Sequence, residues 1–346
     1  MALRASVVIR SKDEADRLRL TLASLAGQSQ PAQVVVVNDG SSDHTRIVID
    51  EAEAQGGLDI EAVHHLTPAG RSVAANAGAA RATGDILIFL DGDTLAHPDL
   101  VALHLEQHER SPNLIVRGDH RHLRCTRPFL DPERGTPQTG EESRVMRMSE
   151  AERARSLITR REISHSFESI DRRSQPGIYP GFGPRRLQEL ELEALNGYPE
   201  CSVLWAAAAG SNQSLARTAF LEAGGFHPAI SINEHRELAL RLCRRGLRMV
   251  ANRARSYHMI HRSGWRDPLQ DTTWEQIFYN AHPIPEVALL SFFWASLSEA
   301  PSFPSEACIY SLPEIAELAG KYRDIEGLKS VREAHLRARR EASPPA

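Results

Sequence analysis

Ile86-Leu-Ile-Phe-Leu-Asp-Gly-Asp-Thr94 decides the fold, because an unbroken apolar run stops abruptly on two carboxylates. Five consecutive apolar residues without polar alternation mark a strand covered on both faces, as in a parallel sheet. Alternate side chains of an extended chain point the same way, so Asp91 and Asp93 can converge on one centre. Hard oxygen donors of this kind suit Mg²⁺ or Mn²⁺, which keep positions open for waters and substrate phosphates. Ligands of open parallel sheets bind at the carboxyl ends of the strands, where this pair lies. The plain alternative is a strand-ending Asp-Gly turn with solvated carboxylates.

Working outward, the preceding residues alternate strands and helices over short connections. Ala5–Ile9 reads as a buried strand, followed by a helix with Asp13 as N-cap, Leu18, Leu22 and Leu25 on one face, and Gly27 at its end. Gln33–Val37 is the second strand; Asn38-Asp-Gly-Ser-Ser42 turns into a helix over Asp43–Gln55. A strand over Leu58–Val63, a helix over Ser72–Ala82 and the stop Thr83-Gly84 complete the approach to Ile86. This order predicts an α/β fold with a doubly wound, mostly parallel, Rossmann-like sheet and right-handed crossovers. The loops, with every polar motif so far named, gather at one edge.

These motifs together resemble the GT-A fold glycosyltransferases of family 2, which are inverting enzymes. Ser6-Val-Val-Ile-Arg-Ser-Lys-Asp-Glu14 is similar to the family's opening strand and loop, and Val35-Val-Val-Asn-Asp-Gly-Ser-Ser-Asp43 to its V-D-D-G-S-x-D turn. Gly70-Arg-Ser-Val-Ala-Ala-Asn-Ala-Gly78 with Ala82-Thr-Gly-Asp85 resembles G-K-x-x-A-x-N-x-G…T-G-D, and Phe89–Thr94 the metal motif. Later, Trp205, Gly210-Ser-Asn-Gln-Ser214 and Arg217 resemble W…G-x-N-x-S-x-x-R. Gly224-Gly-Phe226, Glu234–Leu242 and Tyr257–His261 resemble the family's G-G-F, E-D-x-E-L-x-x-R-L and terminal histidine segments, in a C-terminal half like that of galactosyltransferases. The resemblance covers residues 5–118 and 201–262.

It implies a metal-dependent transferase that takes a nucleotide sugar, a UDP-sugar by preference, with Mn²⁺ or Mg²⁺. Asp39 is expected to accept the uracil imide N–H, and Arg71, where the family often carries Lys, to meet the base or diphosphate. Arg10, Glu14, Gly92 and Asn212 are expected beside the same ligand. Asp93 is the expected metal ligand, Asp91 reaches the ribose or a metal-bound water, and His258 completes the set with His261 as its competitor. The chief departure is His235, which stands where the family has an aspartate as general base. Histidine can perform that proton transfer; Glu234 and Glu237 are the next candidates. Loss of turnover, leaving a nucleotide-sugar binder, is the other reading of that departure.

By motif the chain divides into a nucleotide-sugar half (1–118), an insert near the acceptor cleft (119–200), an acceptor or catalytic half (201–262) and a helical C-terminal extension (263–346). The insert opens with His/Arg-rich Asp119-His-Arg-His-Leu-Arg124, then carries a capping box at Ser149-Glu-Ala-Glu152 opening a helix to His165. A loop over Arg172–Pro184 holds Tyr179 and Phe182, either sugar-stacking or simple anchors, and a helix follows over Arg185–Leu195. Helical segments at Thr273–Tyr279, Pro285–Leu297 and Leu312–Arg340 either pack on the domain or make a homodimer contact, and the Ser-Pro-Pro-Ala tail is expected to fray.

Composition narrows the partners. The formal net charge of −4 over 346 residues gives no broad footprint for nucleic acid. Cys125, Cys201, Cys243 and Cys308 form no C-x-x-C pair, which favours a reducing, cytoplasmic setting over disulfides or zinc. Neither a signal peptide nor a bilayer-length apolar run is expected; Val287–Trp294 reads as a packed helix. The acceptor, whether saccharide, lipid-linked sugar, peptide or natural product, is open, as is the sugar.

Overall fold

The computed structural model describes residues 2–176, 187–261, 273–296, 311–322, 327–330 and 333. Strands β1 (Ala5–Ser11), β2 (Gln33–Asp39), β3 (Asp59–His65) and β4 (Ile86–Asp91) alternate with helices α1 (Ala15–Ala26), α2 (Thr45–Gln55) and α3 (Arg71–Arg81). They pair in parallel in the spatial order β3-β2-β1-β4, the doubly wound arrangement the sequence predicts. The pleat sends Val8, Val35, Leu87 and Phe89 into one core and Val7, Ile9, Val34, Val36, Ile88 and Leu90 into the other. Helices cover both faces, so these strands carry no polar alternation. Gly78 of α3 is required by closeness: a Cβ there would stand 2.6 Å from the Val8 side chain and 2.9 Å from that of Val37.

Beyond β4 the sheet turns mixed. The chain continues through β5 (Thr94–Ala96), α4 (Leu100–Arg110) and the long β6 (Leu114–Leu123), then a small hairpin of β7 (Phe129–Asp131) and β8 (Thr136–Pro137). Short helices follow: α5 (Glu142–Met146), α6 (Glu150–Ser156), α7 (Arg160–His165) and α8 (Phe167–Arg173), before β9 (Gln175–Pro176) and α9 (Leu187–Gly197). β10 (Gln213–Ala216), α10 (Arg217–Glu222), α11 (Glu234–Arg244) and β11 (Arg248–Met259) complete the sheet. Among the described residues its order is β3-β2-β1-β4-β10-β6-β11-β5, with β9 on β6; β10 runs antiparallel to both neighbours while β6 and β11 are parallel.

Helices α12 (Thr273–Ala281), α13 (Pro285–Ser296) and α14 (Leu312–Lys321) form the C-terminal part. Val287, Leu289, Leu290 and Phe293 of α13 join Trp205 and Phe278 in one core, so this apolar segment is interior packing. No helix among the described residues is long and apolar enough to cross a membrane.

Four local expectations need correction. Asp13 does not cap α1: it sits at φ 54° and its Oδ1 accepts from the Ser42 amide at 2.7 Å, tying the β1 loop to the β2 loop instead. The capping box at Ser149 and Glu152 forms, but its helix ends at Ser156. The break lets Ile158 enter the core beside Phe167 and Tyr257, and Thr159 caps a new helix through Glu162 N. Arg172 is helical, within α8, and Gln175–Pro176 is strand; the rest of the expected loop, with Tyr179 and Phe182, lies outside the described residues. The helix expected over Leu312–Arg340 is broken: α14 ends at Lys321, and 327–330 and 333 are helical again. The tail lies outside the described residues.

Candidate active site

The parallel strands end together, and the candidate residues stand at that edge. Arg10 and Asp91 are register partners on β1 and β4. Arg10 Nε donates to Asp91 Oδ1 at 2.8 Å, and its NH1 donates to Glu234 Oε1 at the start of α11. One guanidinium thus joins the strand motif to the helix that carries the candidate base.

Asp93 lies just past β4, and the antiparallel pairing of His258 with Thr94 brings β11 beside it. His258 Nε2 stands 3.1 Å and His261 Nε2 2.9 Å from Asp93 Oδ2. Burial alone would raise the Asp93 carboxyl, but the two imidazoles hold it well below its ordinary range, with His258 itself raised. The three donor atoms lie within 4.8 Å of one another, a carboxylate with two imidazoles that fits one divalent ion. The two competing histidines therefore stand together. Asp91 is outside this group, its Oδ1 taken by Arg10.

Gly92 between the carboxylates is required by close approach, since a Cβ would stand 2.7 Å from Glu14 Oε1. Burial, then the charges of Asp93 and Asp91, push the Glu14 carboxyl well above its usual value, favouring a protonated group beneath the motif. Asp39 is buried at the end of β2. Its Oδ1 accepts from Ala69 N (2.8 Å) and pairs with His65 Nδ1 (2.7 Å), and its Oδ2 accepts from Gly70 N (2.9 Å). Arg71, the first residue of α3, is exposed nearby.

Asn212 is fully buried and occupied. Its Oδ1 pairs with His104 Nε2 at 2.8 Å and its Nδ2 donates to Ala254 O at 2.9 Å, tying the residue before β10 to α4 and β11. This side chain offers no open face to a nucleotide. Glu237 is likewise committed: Arg241 grips both oxygens and His282 Nε2 lies 2.8 Å from Oε1, a contact that anchors α11.

His235 is the more open of the remaining pair, at 13% side-chain exposure against 2% for Glu234. Burial, then the charges of Arg236, Arg10, Arg117 and Arg71, hold its imidazole well below the usual value, so it is neutral near pH 7. Its Nε2 accepts from Arg236 at 2.7 Å, and its Nδ1 lies 3.9 Å from Glu234 Oε2.

One constellation escaped the sequence reading. Glu191 of α9 bridges Arg117 NH2 and Arg236 NH2, each at 2.6 Å, with all three side chains buried. The signal was present but weak: a helical stripe through Ala194 and Leu195 also takes in Gln188 and Glu191, two polar residues on a buried face.

With this geometry in view, comparison with known proteins is decisive at the family level. The Glycosyl transferase family 2 profile matches residues 6–197, more than half of the chain. The chain belongs to that family. The family 2 match runs through the insert that the motifs alone left uncovered, and stops before the 201–262 segment.

Among curated family relatives, an uncharacterized glycosyltransferase, YfnE of Bacillus subtilis (strain 168), is 36% identical over 118 residues, which is 34% of this chain and 30% of the relative. The undecaprenyl-phosphate 4-deoxy-4-formamido-L-arabinose transferase of Klebsiella pneumoniae is 31% identical over 120 residues, 34% of each chain. The matched stretch thus spans about a third of these relatives. The fold is similar to that of S. aureus TarS 1-349 in complex with UDP-GlcNAc, with TM-score 0.57 and 14% identity over 98% of this chain and 90% of that one. It is also similar to the mannosyltransferase PcManGT of Pyrobaculum calidifontis in complex with GDP-Man and Mn²⁺, with TM-score 0.51 and 16% identity over 98% and 86%.

Proposed function

We propose that this family 2 protein transfers a sugar from a nucleotide sugar, with UDP as the nucleotide, to an acceptor hydroxyl, in a metal-dependent reaction with inversion. The observation that carries the proposal is the Asp93–His258–His261 group at the carboxyl edge of the sheet, two residues along the chain from the Arg10-bound Asp91. The solved complexes of TarS with UDP-GlcNAc and of PcManGT with GDP-Man and Mn²⁺ support a nucleotide sugar and a divalent ion at such a site. Asp39, whose Oδ2 keeps a lone pair beyond the one Gly70 N uses, supports uracil, which offers an imide N–H, over cytosine, which does not.

Asp93, His258 and His261 would hold the ion, which supplies Lewis-acid stabilisation of the departing diphosphate. The protein's own groups do the rest. Arg10 fixes the Asp91 carboxylate for a ribose or water contact, Arg71 offers its cation to the base or diphosphate, and His235, neutral near pH 7, takes the acceptor proton. That step requires Arg236 to release the Nε2 lone pair.

A second reading, nucleotide-sugar binding without turnover, is favoured by that same engagement of His235 by Arg236 and of Glu234 by Arg10. Calorimetry with UDP tests the donor site. We expect affinity about tenfold or more higher with Mn²⁺ than with EDTA, and loss of that difference in Asp93→Ala. Equal affinity with and without metal would remove the case for Asp93 as a ligand. Tight metal-dependent binding with neither transfer nor donor hydrolysis would favour the second reading.

A further inference from the structure

The histidines of Asp119-His-Arg-His-Leu-Arg124 play no part in the reaction above, yet the sheet lines them up with one residue that does. β6 and β11 run parallel, with His122 opposite His258 and His120 opposite Ser256. Residues two apart on a strand share a face, so His120, His122, Ser256 and His258 stand on one side of the ribbon. The rings lie close: centroids are 5.6 Å apart for His120 and His122, 5.3 Å for His122 and His258, and 6.0 Å for His120 and His258. One ring nitrogen from each falls within 4.8 Å of the other two. His120 Nδ1 is held at 2.8 Å by Ser256 Oγ, the outer-shell bond that fixes a ligating imidazole and leaves its Nε2 free to coordinate.

We propose that His120, His122 and His258 form a second metal site, one for a borderline transition ion of the Zn²⁺ class. Nitrogens around a tetrahedral Zn²⁺ at Zn–N distances of about 2.0–2.1 Å stand roughly 3.4 Å apart. The trio's nitrogens, within 4.8 Å of one another, would draw together to that spacing on binding, with water as the fourth ligand. Three imidazoles and no carboxylate disfavour Mg²⁺, whereas the neighbouring group with Asp93 keeps an oxygen donor. The two groups share His258. An ion held by the three histidines therefore draws His258 away from Asp93, so Zn²⁺ antagonises the Mn²⁺-dependent binding of the donor. This last consequence rests on the donor site proposed above; the site itself does not.

Equilibrium dialysis of the full chain against Zn²⁺ alone, paired with UDP calorimetry in Mn²⁺, separates the two. In Asp93→Ala/His261→Ala, one equivalent of Zn²⁺ should still bind while the Mn²⁺ dependence of UDP binding is lost. In His120→Asn/His122→Gln, Zn²⁺ affinity should fall by about tenfold or more. That variant should keep the Mn²⁺-dependent UDP affinity, and Zn²⁺ should no longer weaken it. The single variant His122→Gln gives the same readouts if the double variant does not fold. Zn²⁺ binding that follows Asp93 and His261 instead of His120 and His122, or its absence in the unsubstituted chain, overturns the site. A chain that binds Zn²⁺ as expected but shows no Mn²⁺-dependent UDP binding keeps this site and refutes the donor reading.

Discussion

The guanidinium of Arg10 bonds the carboxylate of Glu234 across 224 residues of sequence, while its Nε holds Asp91 at 2.8 Å. Glu234 is almost wholly out of solvent, and Arg10 is the cation its carboxylate bonds. Arg10→Ala should therefore destabilise the protein by about 3–5 kcal/mol, the cost of stranding a buried partner. Urea unfolding of the variant checks this. A loss under about 1 kcal/mol would mean that the pair contributes no more than a surface ion pair.

The same logic applies to Glu191, which lies between two buried cations, Arg117 and Arg236. Glu191→Ala removes the carboxylate that lies between the two guanidinium groups, and the expected cost is again about 3–5 kcal/mol. Because Arg236 also holds His235, this change on α9 should lower transfer as well. A variant with unchanged melting temperature would show that the insert helix is only loosely docked.

Removing a general base typically costs on the order of 10²–10⁴ in rate. His235→Ala should lower transfer by that factor with the affinity for the nucleotide sugar nearly unchanged. Full activity in His235→Ala together with its loss in Glu234→Gln would assign the base to the glutamate. Indifference to both changes, in a chain that transfers sugar, would place the catalytic groups elsewhere.

Two further histidines set an acid limit. Burial holds His104 at about 4, and burial together with His104 holds His108 at about 4, while the unfolded chain titrates near 6.5. Below 6.5 the unfolded state takes up protons that the folded state refuses, so stability falls as pH drops from about 6.5 towards 4 and is unaffected by these groups above it. For His104 alone the loss is on the order of 3 kcal/mol. Urea midpoints across that window should show the slope, and His104→Gln/His108→Gln should flatten it. An unchanged slope in that variant would assign the acid sensitivity to other groups.

Sequence alone determined the parallel half of the sheet and its functional edge. Runs such as Val34–Val37 and Ile86–Leu90 admit only strands covered on both faces, and the Asp-Gly-Asp that follows has to lie where such a strand ends. These are local facts, set by hydrophobic runs and turn chemistry within a few residues. What only the tertiary structure decided is which polar groups meet. His261 joins His258 at Asp93 because β11 pairs with β5. Asn212 matches a ligand-side motif by spacing, yet its amide is spent inside the protein on His104 of α4 and Ala254 of β11. Glu237 stands two residues from the candidate base His235, so it points to another side of α11, where it meets Arg241 and His282. A charge buried by folding takes whichever partner the packing delivers, often from another element far along the chain. No window of sequence contains both members of the pair, which is why Arg10 with Glu234, and Glu191 with Arg117 and Arg236, became visible only in three dimensions.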